Sequence, residues 1–544
     1  MVGVAQRPRG GGRYLALWLA FLVLVAGACS AATRYDASAT AVPVGTRCVP
    51  PDGTSVPRAV PIPGSTSDWN LTSFDGTVIR VHWFPAPTSS PVHRLPTVLM
   101  GPGWSEPGDT NTTGTGFLSI QSFWKAGYNV ATWDPRGFGK SSGTIEIDDP
   151  AVEGRDVSRI IDWIASRPGV ERDGPARPRI GMVGVSYGGG IQFATAAVDC
   201  RVDAIVPGWA WNSLVTSLYK GGIAKDGWGN LLFAAGGGHM DPVALKAEKE
   251  ASTTGAIDPA TIAWFARRGP GDRVAAIRAP TLIVQGIDDN LFTLDEGVAN
   301  FSVLHARHVP VAMVWVCGGH GMCLTPPGDS AAATQEEMDW LARYVQGDTH
   351  APVAPGFRFV DQNGKTYAYS SYPPLAGTPV TAMGSGTMAL EAGGGSGPVH
   401  LAAGDTGFMN SLTAGITPAR ASHAVDVPIR FSHSALVVGA PQLTLAYRAT
   451  SPEGSSALHI FAQVVDDSTG LVLGDQVTPV GISADGADHT VSVPLEMVVF
   501  AAEPGANLTL QIVATTVAYA TPPLGGTVAF DRIAISLPTV APPG

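Results

Sequence analysis

The sequence reads Ile180-Gly181-Met182-Val183-Gly184-Val185-Ser186-Tyr187-Gly188-Gly189-Gly190, an apolar run that leads into a serine set between glycines. The run has the length and composition of a buried strand, and small residues continue to Ala197 in the manner of a helix. A strand, a sharp turn and a helix expose a serine Oγ above a sheet, and glycines beside it tolerate the strained turn. The stretch therefore predicts a nucleophile elbow at Ser186.

A second copy of the G-x-S-x-G pattern lies earlier, at Gly139-Lys140-Ser141-Ser142-Gly143. The pattern recurs easily by chance in a chain with 66 glycines, so the flanking segments must decide between the two copies. No apolar strand precedes Ser141 and no apolar helix follows it, which favours Ser186. Asp134 stands where a phosphate-binding loop would begin with glycine, and we predict neither a cofactor nor a metal site.

Short apolar segments alternate with helical patterns on both sides of this elbow. Apolar runs at residues 97–100, 128–133, 281–284 and 311–316 have the character of buried strands. Such alternation predicts a parallel sheet covered by helices on both faces. We therefore predict an α/β-hydrolase catalytic domain over residues 64–350.

Two regions depart from this alternation. Residues 209–271 are rich in Gly, Trp and Ala, and we predict a helical cap inserted over the sheet. Over residues 355–541 helical periodicity disappears, and strand-like runs alternate with turns rich in Gly, Pro and Asp. This pattern predicts an all-β C-terminal domain, a jelly-roll-like sandwich.

A serine nucleophile needs a base, and the base needs an acid that orients it. In the α/β-hydrolase order both follow the serine, on loops after later strands. His320 lies on such a loop, Cys317-Gly318-Gly319-His320-Gly321, and we predict that it is the base. The acid is one of the adjacent pair Asp288 and Asp289. We favour Asp289, because relatives of this fold usually place the acid three residues after the glycine that ends the strand. We then expect Asp288 to cap the turn that follows it or to face solvent.

The oxyanion formed during acyl transfer needs two hydrogen-bond donors. One donor should be the backbone N–H of Tyr187, which follows the nucleophile. The second should come from the loop Gly101-Pro102-Gly103-Trp104 after the first parallel strand. We predict the N–H of Trp104, with its ring as a wall of the pocket; the alternative is a purely structural tryptophan.

The N-terminal segment has the features of an export signal. Three arginines precede an apolar run at residues 14–25, and small residues then lead to Cys29. Cys29 stands where bacterial lipoprotein signals place the lipidated cysteine, so residues 1–29 predict a signal peptide and residues 30–63 a tether. We expect an exported protein anchored to the cell membrane by lipid, with a secreted protein as the alternative.

Four further cysteines fit an oxidising compartment. The short separation of Cys317 and Cys323 favours a disulfide between them, which leaves Cys48 to pair with Cys200. Free buried thiols are the alternative.

Composition limits the partners. The chain has 544 residues, of which 45% are hydrophobic and 15% charged, and this balance excludes a disordered protein. The net charge is −11, and no cluster of Lys and Arg lies outside the N-terminus, which argues against nucleic acid. We expect a small-molecule or peptide substrate.

The sequence also resembles a known family, the X-Pro dipeptidyl-peptidase and cocaine-esterase family of serine hydrolases. The resemblance rests on Phe74-Asp75-Gly76-Thr77, on residues 134–143, on the Ser186 elbow and on the loops of Asp289 and His320. It implies cleavage of amides or esters through an acyl-enzyme, as in X-Pro dipeptidyl-peptidases. The alternatives are a small-ester or acyl-transfer esterase of the same fold and a non-catalytic surface-binding lipoprotein.

Overall fold

The structure is a computed structural model that describes residues 50–114, 118–400, 408–451 and 457–543. The predicted signal peptide with Cys29, and most of the predicted tether, lie outside the described residues. Cys48, and with it the predicted Cys48–Cys200 pair, also lies outside them. Among the described helices, none is both long and apolar enough to cross a membrane.

Residues 59–369 build one large sheet. Its strands and one small hairpin are β1 (Ala59–Pro61), β2 (Asp68–Thr72), β3 (Val78–Phe84), β4 (Thr97–Met100), β5 (Asn129–Trp133), β6 (Arg172–Gly174), β7 (Arg177–Pro178), β8 (Ile180–Val185), β9 (Val202–Gly208), β10 (Thr281–Gly286), β11 (Val311–Val316), β12 (Phe357–Val360) and β13 (Thr366–Tyr369). All but the β6–β7 hairpin lie in the order β1-β2-β3-β5-β4-β8-β9-β10-β11-β12-β13. Pairing is parallel from β5 to β12 and antiparallel at both ends.

Helices cover both faces of this sheet, as the alternating pattern predicts. Apolar side chains of the helices Glu153–Ala165, Tyr187–Val198 and Leu294–Ala306 pack in the cluster on one face. The helices Ile120–Lys125 and Ser330–Leu341 pack on the other face. Because both faces are buried, the central strands are continuously apolar rather than alternating. The predicted α/β class is therefore confirmed.

Four helices form a cap between β9 and β10. They are Leu214–Leu218, Asp226–Gly236, Pro242–Thr254 and Pro259–Ala266. Asp241 and Asp258 cap the last two, each accepting hydrogen bonds from backbone N–H groups, with proline next in the chain. Apolar side chains of the cap pack with residues near the elbow in one cluster, so the cap encloses the space above Ser186.

The remaining strands form antiparallel sheets. They are β14 (Val380–Ala389), β15 (Val425–Arg430), β16 (Ala435–Gly439), β17 (Gln442–Thr450), β18 (Ala457–Asp466), β19 (Thr478–Ser483), β20 (Asp485–Pro494), β21 (Val498–Ala502), β22 (Asn507–Val513), β23 (Thr527–Leu537) and β24 (Thr539–Val540). Two four-stranded sheets, β14-β23-β17-β20 and β15-β22-β18-β19, bury a separate apolar cluster, and a third sheet is β21-β16-β24. The predicted all-β C-terminal region is confirmed.

The junction of the two regions differs from the predicted boundary at residue 355. Strands β12 and β13 lie beyond that boundary, yet they pair with the first sheet. Leu436 and Val499 from the C-terminal strands pack in the same apolar cluster as Phe357 and Phe359. The two regions thus share part of a core, which a boundary drawn from strand-like composition does not reveal.

Candidate active site

The chain turns sharply at Ser186, between β8 and the following helix. Ser186 has φ 59° and ψ −121°, a conformation that costs a residue with a side chain on the order of 1–3 kcal/mol. A Cβ on Gly188 would lie 2.2 Å from the carbonyl oxygen of Gly101, and one on Gly184 would lie 2.6 Å from it. The glycines are therefore required because the loop after β4 passes directly against the elbow.

Ser186, His320 and Asp289 lie together in a hydrogen-bonded relay. Ser186 Oγ is 2.7 Å from His320 Nε2, and His320 Nδ1 is 2.8 Å from Asp289 Oδ2. Asp289 is fully buried, and its Oδ1 accepts hydrogen bonds from the N–H groups of Leu291 and Phe292. Asp289 is thus held as an acceptor for the imidazole, which can take a proton from the serine hydroxyl.

Asp288 contacts a different part of the same loop. Its Oδ2 accepts a hydrogen bond of 2.8 Å from the N–H of Gly318. Burial, together with the charge of Asp289, raises the pKa of Asp288 to about 7. Its carboxyl group thus holds the later turn that leads to His320. It neither caps the turn that follows it nor faces solvent, the two roles expected from the sequence.

Aromatic rings surround the imidazole of His320. The centroid of the ring of Phe292 lies 5.0 Å from that of His320, and those of Trp228 and Trp209 lie at 5.7 and 6.2 Å. All three rings present an edge-to-face arrangement. They restrict the orientation of the imidazole and its access to water.

The cap also holds the loop that carries Asp289, a contact that the sequence did not indicate. Lys225 is buried, and its Nζ donates hydrogen bonds to the carbonyl oxygens of Asn290 and Leu291. Burial lowers the pKa of this ammonium to about 8. Trp228 Nε1 donates to Asn290 Oδ1 at 2.8 Å. No sequence motif marks Lys225, because its role depends on the folding of the cap onto the later loop.

Tyr187 and Trp104, the two predicted oxyanion donors, pack against each other. Tyr187 is the first residue of its helix, and such residues have no acceptor for their N–H within the helix. The indole N–H of Trp104 donates to the carbonyl oxygen of Leu232 at 2.8 Å, so it is engaged with the cap. The Trp104 ring packs edge-to-face on Tyr187, with centroids 5.2 Å apart.

A cavity that is partly open to solvent lies at Ser186. Its walls are formed by aromatic and aliphatic side chains of the elbow, the cap and the Asp289 loop: Trp104, Ile147, Tyr187, Trp211, Leu214, Leu218, Leu232, Phe233, Met240, Phe265, Leu291 and Phe292. Trp104 is thus a wall of this cavity. Among the described residues that line it, none carries a charged side chain.

The C-terminal domain contributes two contacts to the triad loops. Asp475 Oδ2 accepts a hydrogen bond from the N–H of Met322, two residues after His320. Gln476 Nε2 donates to the carbonyl oxygen of Asp289 at 3.0 Å. Both residues are buried, and burial raises the pKa of Asp475 well above its ordinary value. They lie more than 150 positions from the loops that they contact, so no local pattern could reveal them.

Cys317 and Cys323 form a disulfide with a Cα–Cα distance of 5.3 Å. The bridge closes the loop that carries His320. In the part of the chain that the structure describes, the one group close enough to hold a metal ion is Asp288 with these two cysteines. Because the cysteines are bonded to each other, they offer no thiolates.

The second G-x-S-x-G pattern lies in a structural turn. Ser141 Oγ donates to the carbonyl oxygen of Asp134 and accepts from the N–H of Arg80. Asp134 Oδ2 in turn accepts from the N–H of Lys140. Ser141 therefore links β3 to the turn after β5. Both groups that contact its hydroxyl are backbone groups, and neither can act as a general base.

Residues 75–322 match the sequence model of the X-Pro dipeptidyl-peptidase family, the S15 family. An Escherichia coli protein described as an uncharacterized 31.7 kDa protein in the traX-finO intergenic region is 38% identical over 85 residues, 16% of this chain and 28% of that protein. The chain thus spans less than a third of the length of that curated relative.

Two solved structures share the fold. A CocE/NonD family hydrolase from Staphylococcus aureus matches with a TM-score of 0.65 and 14% identity, over 87% of this chain and 93% of that chain. An aminopeptidase from a marine sediment Thaumarchaeota archaeon matches with a TM-score of 0.66 and 13% identity, over 92% and 99%. The family resemblance read from the sequence is confirmed over residues 75–322, and the two solved structures confirm the α/β-hydrolase fold.

Proposed function

We propose that this protein is a serine hydrolase that forms an acyl-enzyme at Ser186. The match of residues 75–322 to the X-Pro dipeptidyl-peptidase family supports this proposal. His320 is the general base and Asp289 orients it. The observation that carries the proposal is the relay from Ser186 Oγ to His320 Nε2 at 2.7 Å and from His320 Nδ1 to Asp289 Oδ2 at 2.8 Å. These distances lie within the reach that proton transfer requires.

The reaction proceeds in two halves. Ser186 Oγ attacks the substrate carbonyl carbon while its proton passes to His320 Nε2. The tetrahedral intermediate then collapses, the bond to the leaving group breaks, and the leaving oxygen or nitrogen takes that proton from His320. In the second half water attacks the acyl-enzyme, its proton passes to His320, and the acid is released as Ser186 regains a proton.

The negative charge on the carbonyl oxygen is stabilised by backbone donors. The N–H of Tyr187 is the first, since the start of its helix leaves it without an intrahelical acceptor. The second is the backbone N–H of Trp104. Its indole N–H is bonded to Leu232 and so is committed to holding the cap.

The cavity at Ser186 favours an ester or amide with an uncharged acyl group. A peptide whose amino terminus lies near the cleaved bond brings an ammonium ion into this space. Burial of an unpaired charge is costly, and the described lining residues include no carboxylate that could pair with it. We therefore place carboxylic ester hydrolysis first and dipeptide release from Xaa-Pro peptides second.

A comparison of two substrate classes tests this order. The measured quantity is kcat/KM for short aryl esters and for Xaa-Pro-anilides, with Ser186→Ala as the control for uncatalysed turnover. Faster turnover of the esters supports the proposal. Anilide turnover that exceeds ester turnover would show that the enzyme is a dipeptidyl-peptidase, despite the uncharged cavity.

Export and membrane anchoring form the second part of the proposal. The basic segment, the apolar run and the small residues before Cys29 support removal of a signal peptide and lipidation of Cys29. A lipid anchor would place the catalytic domain at the outer face of the membrane, where the Cys317–Cys323 disulfide is chemically stable.

A further inference from the structure

Beside the cavity at Ser186, which we call the acyl cavity, lies a second cavity inside the cap. This cap cavity is partly open to solvent. Apolar side chains of the cap helices form most of its wall, among them Val215, Ala247, Ala251 and Ile257. Its apolar lining is that of a site for an apolar ligand group.

The two cavities share one wall. Leu214, Leu218, Phe233 and Phe265 line both of them. Leu218 and Phe233 are only half-buried, whereas Leu214 and Phe265 are buried. An acyl chain that is attached at Ser186 and crosses this wall contacts the apolar side chains that the two cavities share.

The acyl cavity lies on the acyl side of the cleaved bond. His320 must protonate the leaving group, so the leaving group lies beside the imidazole. The acyl cavity is lined by Ser186, by Tyr187 and by Trp104, the residues at the nucleophile and the oxyanion site, and His320 is not among its lining residues. A group that enters this cavity is therefore attached to the carbonyl carbon rather than to the leaving oxygen.

We propose that the cap cavity receives the distal part of an aliphatic acyl chain whose carbonyl group lies at Ser186. The substrate class is then esters of acyl chains too long for the acyl cavity alone. This inference rests on the proposed acyl-enzyme function. The charged residues of the cap cavity do not oppose it: Lys225 Nζ is bonded to two carbonyl groups, and Asp226 and Glu248 are partly exposed to solvent.

A chain-length series tests the inference. The probes are 4-nitrophenyl acetate, butanoate, octanoate and dodecanoate, and a parallel series of alkyl acetates lengthens the alcohol instead. Each buried methylene should raise kcat/KM about fourfold in the acyl series until the chain fills both cavities. The alcohol series should show no such rise.

The variant Ala251→Phe fills part of the cap cavity without touching the acyl cavity, because Ala251 lines only the former. It should lower the ratio of dodecanoate to butanoate turnover at least tenfold. Ala260→Phe makes the same change at an exposed position of the next helix and should keep the ratio. Val215→Phe fills the cap cavity from another helix, and it replaces Ala251→Phe if thermal unfolding shows that variant to be unfolded.

Two results would overturn the inference while the proposed function stands: a flat acyl series with active hydrolysis of the acetate, or a rise that follows the alcohol chain. An unchanged ratio in both filled variants would also overturn it. Failure to hydrolyse any ester, together with failure of Ser186 to react with a fluorophosphonate, would instead contradict the proposed function itself, and the inference with it.

Discussion

Asp288 and Asp289 are neighbours in the sequence but contact different groups of the His320 loop. Asp289 bonds to the imidazole, and Asp288 bonds to the N–H of Gly318. Side chains of adjacent residues diverge on a turn, so both cannot reach one ring. Asp289 follows Gly286, the last residue of β10, by three positions, and this spacing was enough to favour it from the sequence. The burial of Asp288 depends on the C-terminal domain, which packs against this loop and could not be read from the sequence.

Replacement of the acid should separate these two roles. Asp289→Asn keeps the shape of the side chain but removes the charge that stabilises the imidazolium and fixes its tautomer. We expect kcat to fall on the order of 10³- to 10⁴-fold, with little change in KM. Steady-state kinetics on an aryl ester measure the effect.

Asp288→Asn is the matched control. Its amide oxygen can still accept from Gly318, so kcat should stay within about tenfold of the unmodified enzyme. Equal losses in the two variants would contradict the assignment of Asp289.

The stability of Asp288→Asn relative to the unmodified protein should depend on pH. Burial and the charge of Asp289 raise the pKa of Asp288 from 3.8 to about 7, so the stability held by the protonated carboxyl is lost as pH rises through that range. Asn has no such proton to lose. Relative to the unmodified protein, Asp288→Asn should therefore gain stability as the pH rises from about 4 to about 7, as measured by urea unfolding. A difference that stays constant over this range would contradict the raised pKa.

At the scale of elements, the loop from Cys317 to Cys323 carries the general base. Gly318 and Gly319 both have positive φ, and glycine gives an open loop many conformations. The disulfide restricts them and should stabilise the loop by roughly 2–3 kcal/mol. Its two cysteines flank His320 in the sequence, so the bridge also restricts the position of the general base.

Reduction of this disulfide should lower kcat before the protein unfolds. Displacement of a catalytic group by about 1 Å costs on the order of a hundredfold, and we expect a loss of about tenfold or more. The experiment combines thiol titration, kcat and near-ultraviolet circular dichroism under mild reductant, with the double variant Cys317→Ser and Cys323→Ser as the specific control. Unchanged kcat after confirmed reduction would leave the bridge with a structural role alone.

The turn before β19 holds the triad loops from the C-terminal side. Gln476 donates to the carbonyl oxygen of Asp289, so Gln476→Met should displace that loop and lower kcat by about tenfold with little effect on KM. Gln362→Met is the control, because Gln362 bonds to Ala501 across the same junction without contact to the triad. Equal kcat in the two variants would contradict a positioning role for Gln476.

At the scale of the whole molecule, the order of elements was readable from the sequence. The elbow, the alternation of strands and helices and the loss of helical periodicity after residue 355 are local patterns, and they predicted the catalytic core and the all-β region. The contacts of Lys225, Asp475 and Gln476 with the triad loops were not readable, because they join segments distant in the chain. Local patterns therefore identify the reacting groups, and tertiary contacts supply the residues that hold them.

The predicted anchor concerns the whole molecule as well. If Cys29 carries lipid, the mature protein should partition into the detergent phase, and Cys29→Ser should release it or block its processing. Phase separation and mass spectrometry of the mature N-terminus measure this. An unmodified N-terminus downstream of Cys29 would contradict the anchor.

The central claim is that Ser186 is the activated nucleophile. A fluorophosphonate reacts covalently with a serine whose hydroxyl is deprotonated by a neighbouring base, and peptide mapping by mass spectrometry identifies the labelled residue. We predict one adduct on Ser186, absent in Ser186→Ala and retained in Ser141→Ala, since Ser141 serves a structural turn. No adduct on the folded protein, or an adduct on Ser141 that survives in Ser186→Ala, would contradict the claim.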